Sequence, residues 1–157
     1  MSQKSGFTLL EVTIVLGILA LLFSITSLNL SNTAPKSSLD NAVQLLIANI
    51  KEQQLYALTG KTEDQTGTNF GIYFGPQKYT LFQGNTYDAN DLSNYDVHLD
   101  DIDTSSTATG SVIIFTRNTG EIQNFQPTGN TITLTQTNIQ QSKTITLNKY
   151  GIIESIF

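Results

Sequence analysis

The chain has 157 residues, eight Lys or Arg against thirteen Asp or Glu, a net charge of −5 and no cysteine. The lack of cysteine excludes a disulfide framework, a thiolate metal site and a cysteine nucleophile, and the acidic balance argues against a large nucleic-acid footprint. A chain of this length suits one helical anchor and one small domain with a single core.

A short polar head, Ser2-Gln3-Lys4-Ser5-Gly6, comes first, followed by Phe7-Thr8-Leu9-Leu10-Glu11-Val12. From Val12 to Phe23 no charge occurs, and only Thr13 and Gly17 are not plainly hydrophobic. Residues 7–30 together are long enough for one helix across the roughly 30 Å hydrocarbon core of a bilayer. Lys4, the one basic residue ahead of that run, favours an N-terminus on the cytoplasmic side. Glu11 is the anomaly, since a carboxylate costs about 2–3 kcal/mol at the bilayer centre and calls for a partner. An ordinary secretory signal has a shorter apolar core and an A-x-A cleavage pattern, which this chain lacks. A plain single-pass anchor explains the length but leaves Glu11 snorkelling to the interface without a role.

The run Lys4 to Val12 resembles the processing signal of type IV prepilins and type II secretion pseudopilins. That resemblance implies cleavage by a membrane prepilin peptidase between Gly6 and Phe7, then N-methylation of Phe7. A small residue before the scissile bond lets a peptidase close on the backbone at the membrane surface. Cleavage would create an α-amino group on Phe7, one helical turn from Glu11. Carboxylate and ammonium attract far more strongly in that low-dielectric zone than in water. The resemblance implies an intermolecular role instead, with Glu11 neutralising the terminus of an adjacent subunit and setting axial register.

Further along, Pro35 predicts a kink or break, and Ser38 with Asp40 predicts a renewed helix start. Leu39, Val43, Leu46, Ile47 and Ile50 form a helical stripe, continued by Ala57 and Leu58, with Asn41, Gln44, Asn49, Lys51, Glu52 and Gln53 facing out. Gly60 predicts the C-cap. Such a helix is marginal alone and covers a sheet. The expected segments are a leader over 1–6, a transmembrane helix over 7–30, an amphipathic helix over 31–60 and a β domain over 61–157.

Residues 61–69 are polar and predict a loop. Phe70–Phe74 and Tyr79–Phe82 predict a hairpin around Gly75-Pro76, and Ser111–Phe115 with Glu121–Gln123 predict another around Arg117–Gly120. Thr131–Thr135 and Thr144–Leu147 alternate, and Ile152–Phe157 closes the chain after a turn at Asn148–Gly151. The expected fold is α+β, with a long N-terminal helix packed on an antiparallel sheet or two-sheet β head. Ile113–Glu121 and Ile145–Ile153 resemble the strand–turn–glycine element and the closing hairpin of minor pilins and pseudopilins of the GspH/FimT type. The absence of cysteine departs from the C-terminal disulfide of many major pilins and favours a minor-type subunit.

Residues 87–103 hold six aspartates, Asp88, Asp91, Asp96, Asp100, Asp101 and Asp103. Oxygen clusters suit Ca²⁺, but no Asp-x-Asp-x-Asp-Gly loop with its glutamate occurs, so the stretch from Asp88 to Asp103 reads as a solvated loop before a calcium site. His98 is the single histidine, without partners for a transition metal. Neither Ser93 nor Ser111 lies in a nucleophile elbow, and no phosphate loop is present. The chain is therefore expected to have no catalytic residues and no cofactor.

Two functions are expected. The first is a minor pilin or pseudopilin, a membrane-anchored assembly subunit of a type IV pilus or type II secretion pseudopilus. Its partners would be other pilins or pseudopilins, the prepilin peptidase, the inner-membrane assembly platform and membrane lipid, with the head outside the cytoplasm. The alternative is a DNA-capturing minor pilin acting in natural transformation, through Lys78, Arg117, Lys143 and Lys149. The acidic balance opposes it.

Overall fold

A computed structural model of the chain describes residues 6, 8–30, 33–60, 68–123 and 125–157, and the side chains of residues 24–34 lie outside that description. The chain divides into two compact units, Met1–Pro35 and Lys36–Phe157. Helix α1 spans Leu9–Leu30 and helix α2 spans Thr33–Thr59.

Pro35 does not end a helix. It lies in the first turn of α2, where backbone N–H groups have no partner and a fixed φ suits the helix. Ser38 is consequently inside α2 rather than its cap, which corrects the expected restart. At the other end Gly60 adopts φ 65° and its N–H donates to the Tyr56 carbonyl at 2.9 Å. That is the left-handed cap expected of glycine.

The buried line of α2 is Leu39, Ala42, Val43, Leu46, Ile47, Ile50, Gln53 and Ala57. Gln53, expected to face out, is only 4% exposed. It follows Ile50 by three residues and precedes Ala57 by four, so helical geometry carries it inward whatever its polarity. Asn49 also turns in, donating from Nδ2 to the Tyr79 hydroxyl at 2.8 Å.

Eight strands follow: β1 Phe70–Gly75, β2 Lys78–Gln83, β3 Tyr95–His98, β4 Ile102–Ser106, β5 Val112–Phe115, β6 Thr131–Gln136, β7 Gln141–Leu147 and β8 Ile153–Ile156. They form two antiparallel sheets, ordered β3-β2-β1-β5 and β4-β6-β7-β8. The fold is α+β with a two-sheet head. Gly75 pairs with Lys78, which leaves Pro76-Gln77 as a two-residue turn with Gln77 at φ 53°. Alternation along β6 buries Ile132 and Leu134, as expected from its threonines. Both sheets and α2 share one core, in which Ile72, Tyr79, Phe115, Leu46, Ile132 and Ile145 are each fully enclosed. Each such aliphatic side chain contributes about 1.5–3 kcal/mol relative to exposure.

Three expectations need correction. The acidic stretch is not one solvated loop, because β3 and the start of β4 lie within it and Leu99 and Ile102 are buried. Its aspartates alternate with apolar residues, so charge on one face of the strand hid the other. Glu121–Gln123 is not a strand, and only a single bridge joins Phe115 to Ile122. Strand β7 begins at Gln141 rather than Thr144. Residues 61–67 of the expected loop lie outside the described residues.

Candidate functional site

The stretch from Gly6 to Val12 leads into α1. Gly6 is exposed, with nothing within 4 Å of the place a Cβ would take, while Phe7 lies outside the described residues. The Thr8 carbonyl accepts from the N–H groups of Glu11 at 3.1 Å and Val12 at 3.2 Å. Its Oγ1 also accepts from the Glu11 N–H, at 3.3 Å. Thr8 is therefore the N-cap and Glu11 the third helical residue, in the Thr-x-x-Glu spacing of a capping box. A carboxylate in a first helical turn faces unpaired N–H groups and the positive end of the helix dipole. Glu11 thus has local compensation in its own chain before any ammonium is considered. Sequence reasoning missed Thr8, although the Thr-x-x-Glu spacing was there to find it.

Beyond the cap, the Thr13 hydroxyl donates to the Leu10 carbonyl at 2.8 Å, which satisfies the one polar side chain of the apolar run. From Leu9 at 84% to Phe23 at 71%, the large apolar side chains of α1 are exposed. A contiguous apolar surface of that kind marks a place for lipid or protein. Among the described residues no helix is long and apolar enough to cross a membrane. The stretch with described side chains, Leu9 to Phe23, measures only about 22 Å at 1.5 Å per residue. The expected span over 7–30 also needs Phe7 and the side chains of 24–30, which lie outside the described residues.

The four candidate cations do not form one surface. Lys78 Nζ lies 2.6 Å from Asp96 on neighbouring β3, Lys143 Nζ 3.2 Å from Asp40 of α2, and Lys149 Nζ 3.3 Å from Glu121. Lys78, then Thr80, holds the Asp96 carboxyl below the usual carboxylate range, and Asp96 raises Lys78 in return. Arg117 is exposed and, among the described residues, its guanidinium faces no carboxylate, while its backbone N–H donates to Asn69 Oδ1 at 2.7 Å. Arg117 and Lys149 do share a corner, because the Ile122 N–H donates to the Lys149 carbonyl at 2.8 Å. Lys78 and Lys143 lie elsewhere, on β2 and β7.

The aspartates are dispersed as well. Asp88 and Asp91 accept from the N–H groups of Asn90 at 2.9 Å and Ser93 at 2.8 Å, closing two tight turns. The Ser93 N–H and hydroxyl hold the Asp91 carboxyl below its ordinary range. Asp101 accepts from Asn138, and Asp103 from the Gln77 N–H. Among the described residues no group of three or more His, Asp or Glu is placed to hold a metal ion. His98 is exposed on β3.

Residues 1–27 match the family model of the prokaryotic N-terminal methylation motif. Over those residues the N-terminus is similar to that of type IV pilin-like proteins. The match covers Gly6, Phe7, Thr8 and Glu11, and supports a prepilin-processed protein. The motif suggests a membrane-anchored, filament-assembled protein whose partners are other pilins and the pilus machinery. No curated protein and no solved structure matches the chain.

Proposed function

We propose that this chain is a minor pilin or pseudopilin, an assembly subunit of a type IV pilus or a type II secretion pseudopilus. In this reading a prepilin peptidase cleaves after Gly6 and Phe7 is methylated on its new amino group. The segment over 7–30 anchors the subunit in the inner membrane until assembly, with the β head outside the cytoplasm. The chain performs no chemistry of its own; it is the substrate of processing and a part of a filament.

The observation that carries this reading is the helix start at Thr8–Glu11 directly after Gly6, followed by side chains exposed from Leu9 to Phe23. The cap places a carboxylate at the front of an apolar helix with its charge locally offset, available to a neighbouring ammonium. An exposed apolar surface of this kind is what a bilayer, and afterwards a filament core, would cover.

The test is intact-mass spectrometry of the chain expressed with a prepilin peptidase. The mature species should start at Phe7 and carry one added methyl group. Recovery of only the full-length chain, or of a start after residue 25, would falsify the reading.

A further inference from the structure

The most exposed large apolar side chain outside α1 is Leu92, at 101%. It stands on a loop that is held rather than loose. Tyr87 anchors the loop's entry by stacking on Tyr73 with ring centroids 4.2 Å apart and by meeting Phe82 edge-on. Asn94 Nδ2 donates to the Asp88 carbonyl at 2.7 Å and the Asn94 N–H to the Asp91 carbonyl at 3.2 Å, so the backbone on both sides of Leu92 is tied. A fixed loop holding a leucine fully in water forgoes burial and has already met its ordering cost, which is how a docking residue gains affinity. Exposed carboxylates at Asp88 and Asp91 flank it.

Across the same sheet lies a corner of opposite character. Leu58 and Tyr150 are 45% and 59% exposed; Leu58 meets the Gly120 turn, whose carbonyl, like that of Tyr150, accepts from Gln54 Nε2. Arg117 stands beside them without a carboxylate partner among the described residues, and Lys149 is paired with Glu121. Among the described residues Arg117 is therefore the cation left for an acidic partner at this corner, on a chain of net charge −5.

We propose that Leu92 is a docking residue for a second copy of this chain, seated against Leu58 and Tyr150 with Asp88 and Asp91 facing Arg117. The inference rests on the assembly reading above. The Leu92 loop leads into β3 and Arg117 follows β5, and these strands are opposite edges of one sheet, three strand spacings or about 14 Å apart. One chain therefore cannot satisfy both surfaces. Two different patches meeting between copies make a heterologous contact, which repeats along an open assembly instead of closing a dimer. The contact is small, yet subunits already held together by another segment meet at high effective concentration, so a small contact suffices.

The chain has no native cysteine, which makes the test direct. The L92C/Y150C double variant of the full chain is expressed with a prepilin peptidase and oxidised in membranes. Dimers and a ladder of larger species are expected on non-reducing gels, with Arg117→Glu lowering the yield several-fold and Arg117→Lys preserving it. An L16C variant, cross-linking through α1, reports assembly separately. Dimers through L16C without any joining positions 92 and 150 would overturn the docking and leave the assembly reading standing. Loss of both would overturn both. Cross-linking of L92C to a different protein would overturn the second copy as the occupant.

Discussion

The Gln54 carboxamide closes on Gly151. Its Nε2 lies 2.7 Å from where a Cβ on Gly151 would stand and donates to the Tyr150 carbonyl at 2.6 Å. The same nitrogen donates to the Gly120 carbonyl at 3.0 Å, and Asn118 N–H reaches the Ala57 carbonyl at 3.0 Å. The last turn of α2 is thereby fastened to the turns after β5 and before β8. Gly151 has φ 71° and Gly120 φ 64°, a region that L side chains rarely adopt.

Gly151→Ala should therefore lower stability by about 2 kcal/mol or more. About 1–2 kcal/mol comes from the left-handed backbone alone, and the overlap with Gln54 and the Phe115 ring adds to it. Chemical denaturation of the variant against the parent measures it. A change near zero would mean that the turn relaxes without cost.

Thr8→Ala removes the hydroxyl from the Glu11 N–H and should weaken the first turn of α1 by about 1 kcal/mol. Amide exchange at Glu11 in detergent should speed up roughly five-fold, a factor that follows from that free energy. Glu11→Ala should leave cleavage after Gly6 intact and reduce incorporation into filaments, read by comparing processed chain in membrane and sheared fractions. Normal incorporation would make Glu11 a bystander.

Tyr79 is enclosed, and burial pushes its phenol up to about 12, against a partial offset from the Asn49 amide. The unfolded phenol ionises near pH 10, so the buried neutral form contributes stability that is fully present below that pH. Stability should fall as pH rises from about 10 through 12, by on the order of 2 kcal/mol. Tyr79→Phe should flatten this alkaline limb while costing about 1–2 kcal/mol near neutrality, because Asn49 Nδ2 loses its acceptor. Urea melts across that pH range compare the two proteins.

Among the described residues, every buried apolar side chain lies beyond Lys36, so a chain beginning there should be soluble and β-rich by circular dichroism. That chain should bind duplex DNA poorly, since Lys78, Lys143 and Lys149 each face a carboxylate. Titration across salt concentrations measures it. Micromolar affinity with a steep salt slope would favour the DNA-capturing alternative.

Much of the fold was legible because periodicity reports burial directly. The stripe from Leu39 to Ile50, the alternation at Thr131–Thr135 and the Gly75-Pro76 turn each encode their geometry in adjacent residues. Strands β3 and β4 were hidden because their aspartates make hydrogen bonds with other elements, such as Asp96 with Lys78 and Thr80. Gln53 and Asn49 are polar and so suggest an outward face, yet their helical positions turn them toward the core. The candidate site divides in the same way. Gly6, Phe7 and Glu11 stand in one continuous stretch and could be read as a motif, whereas the pairing that neutralises three of the four cations involves residues distant in the chain.

The sequence by itself determined the pilin-like N-terminus, the apolar helix behind it and the alternation of most strands, because each is a property of neighbouring residues. Only the tertiary structure decided that two sheets share one core with α2, that Gln54 fastens the turns at Gly120 and Gly151, and that Lys78, Lys143 and Lys149 each meet a carboxylate of the same chain. Those outcomes depend on contacts between segments far apart in the chain, and short-range spacing carries no record of which distant side chain will fill a given place.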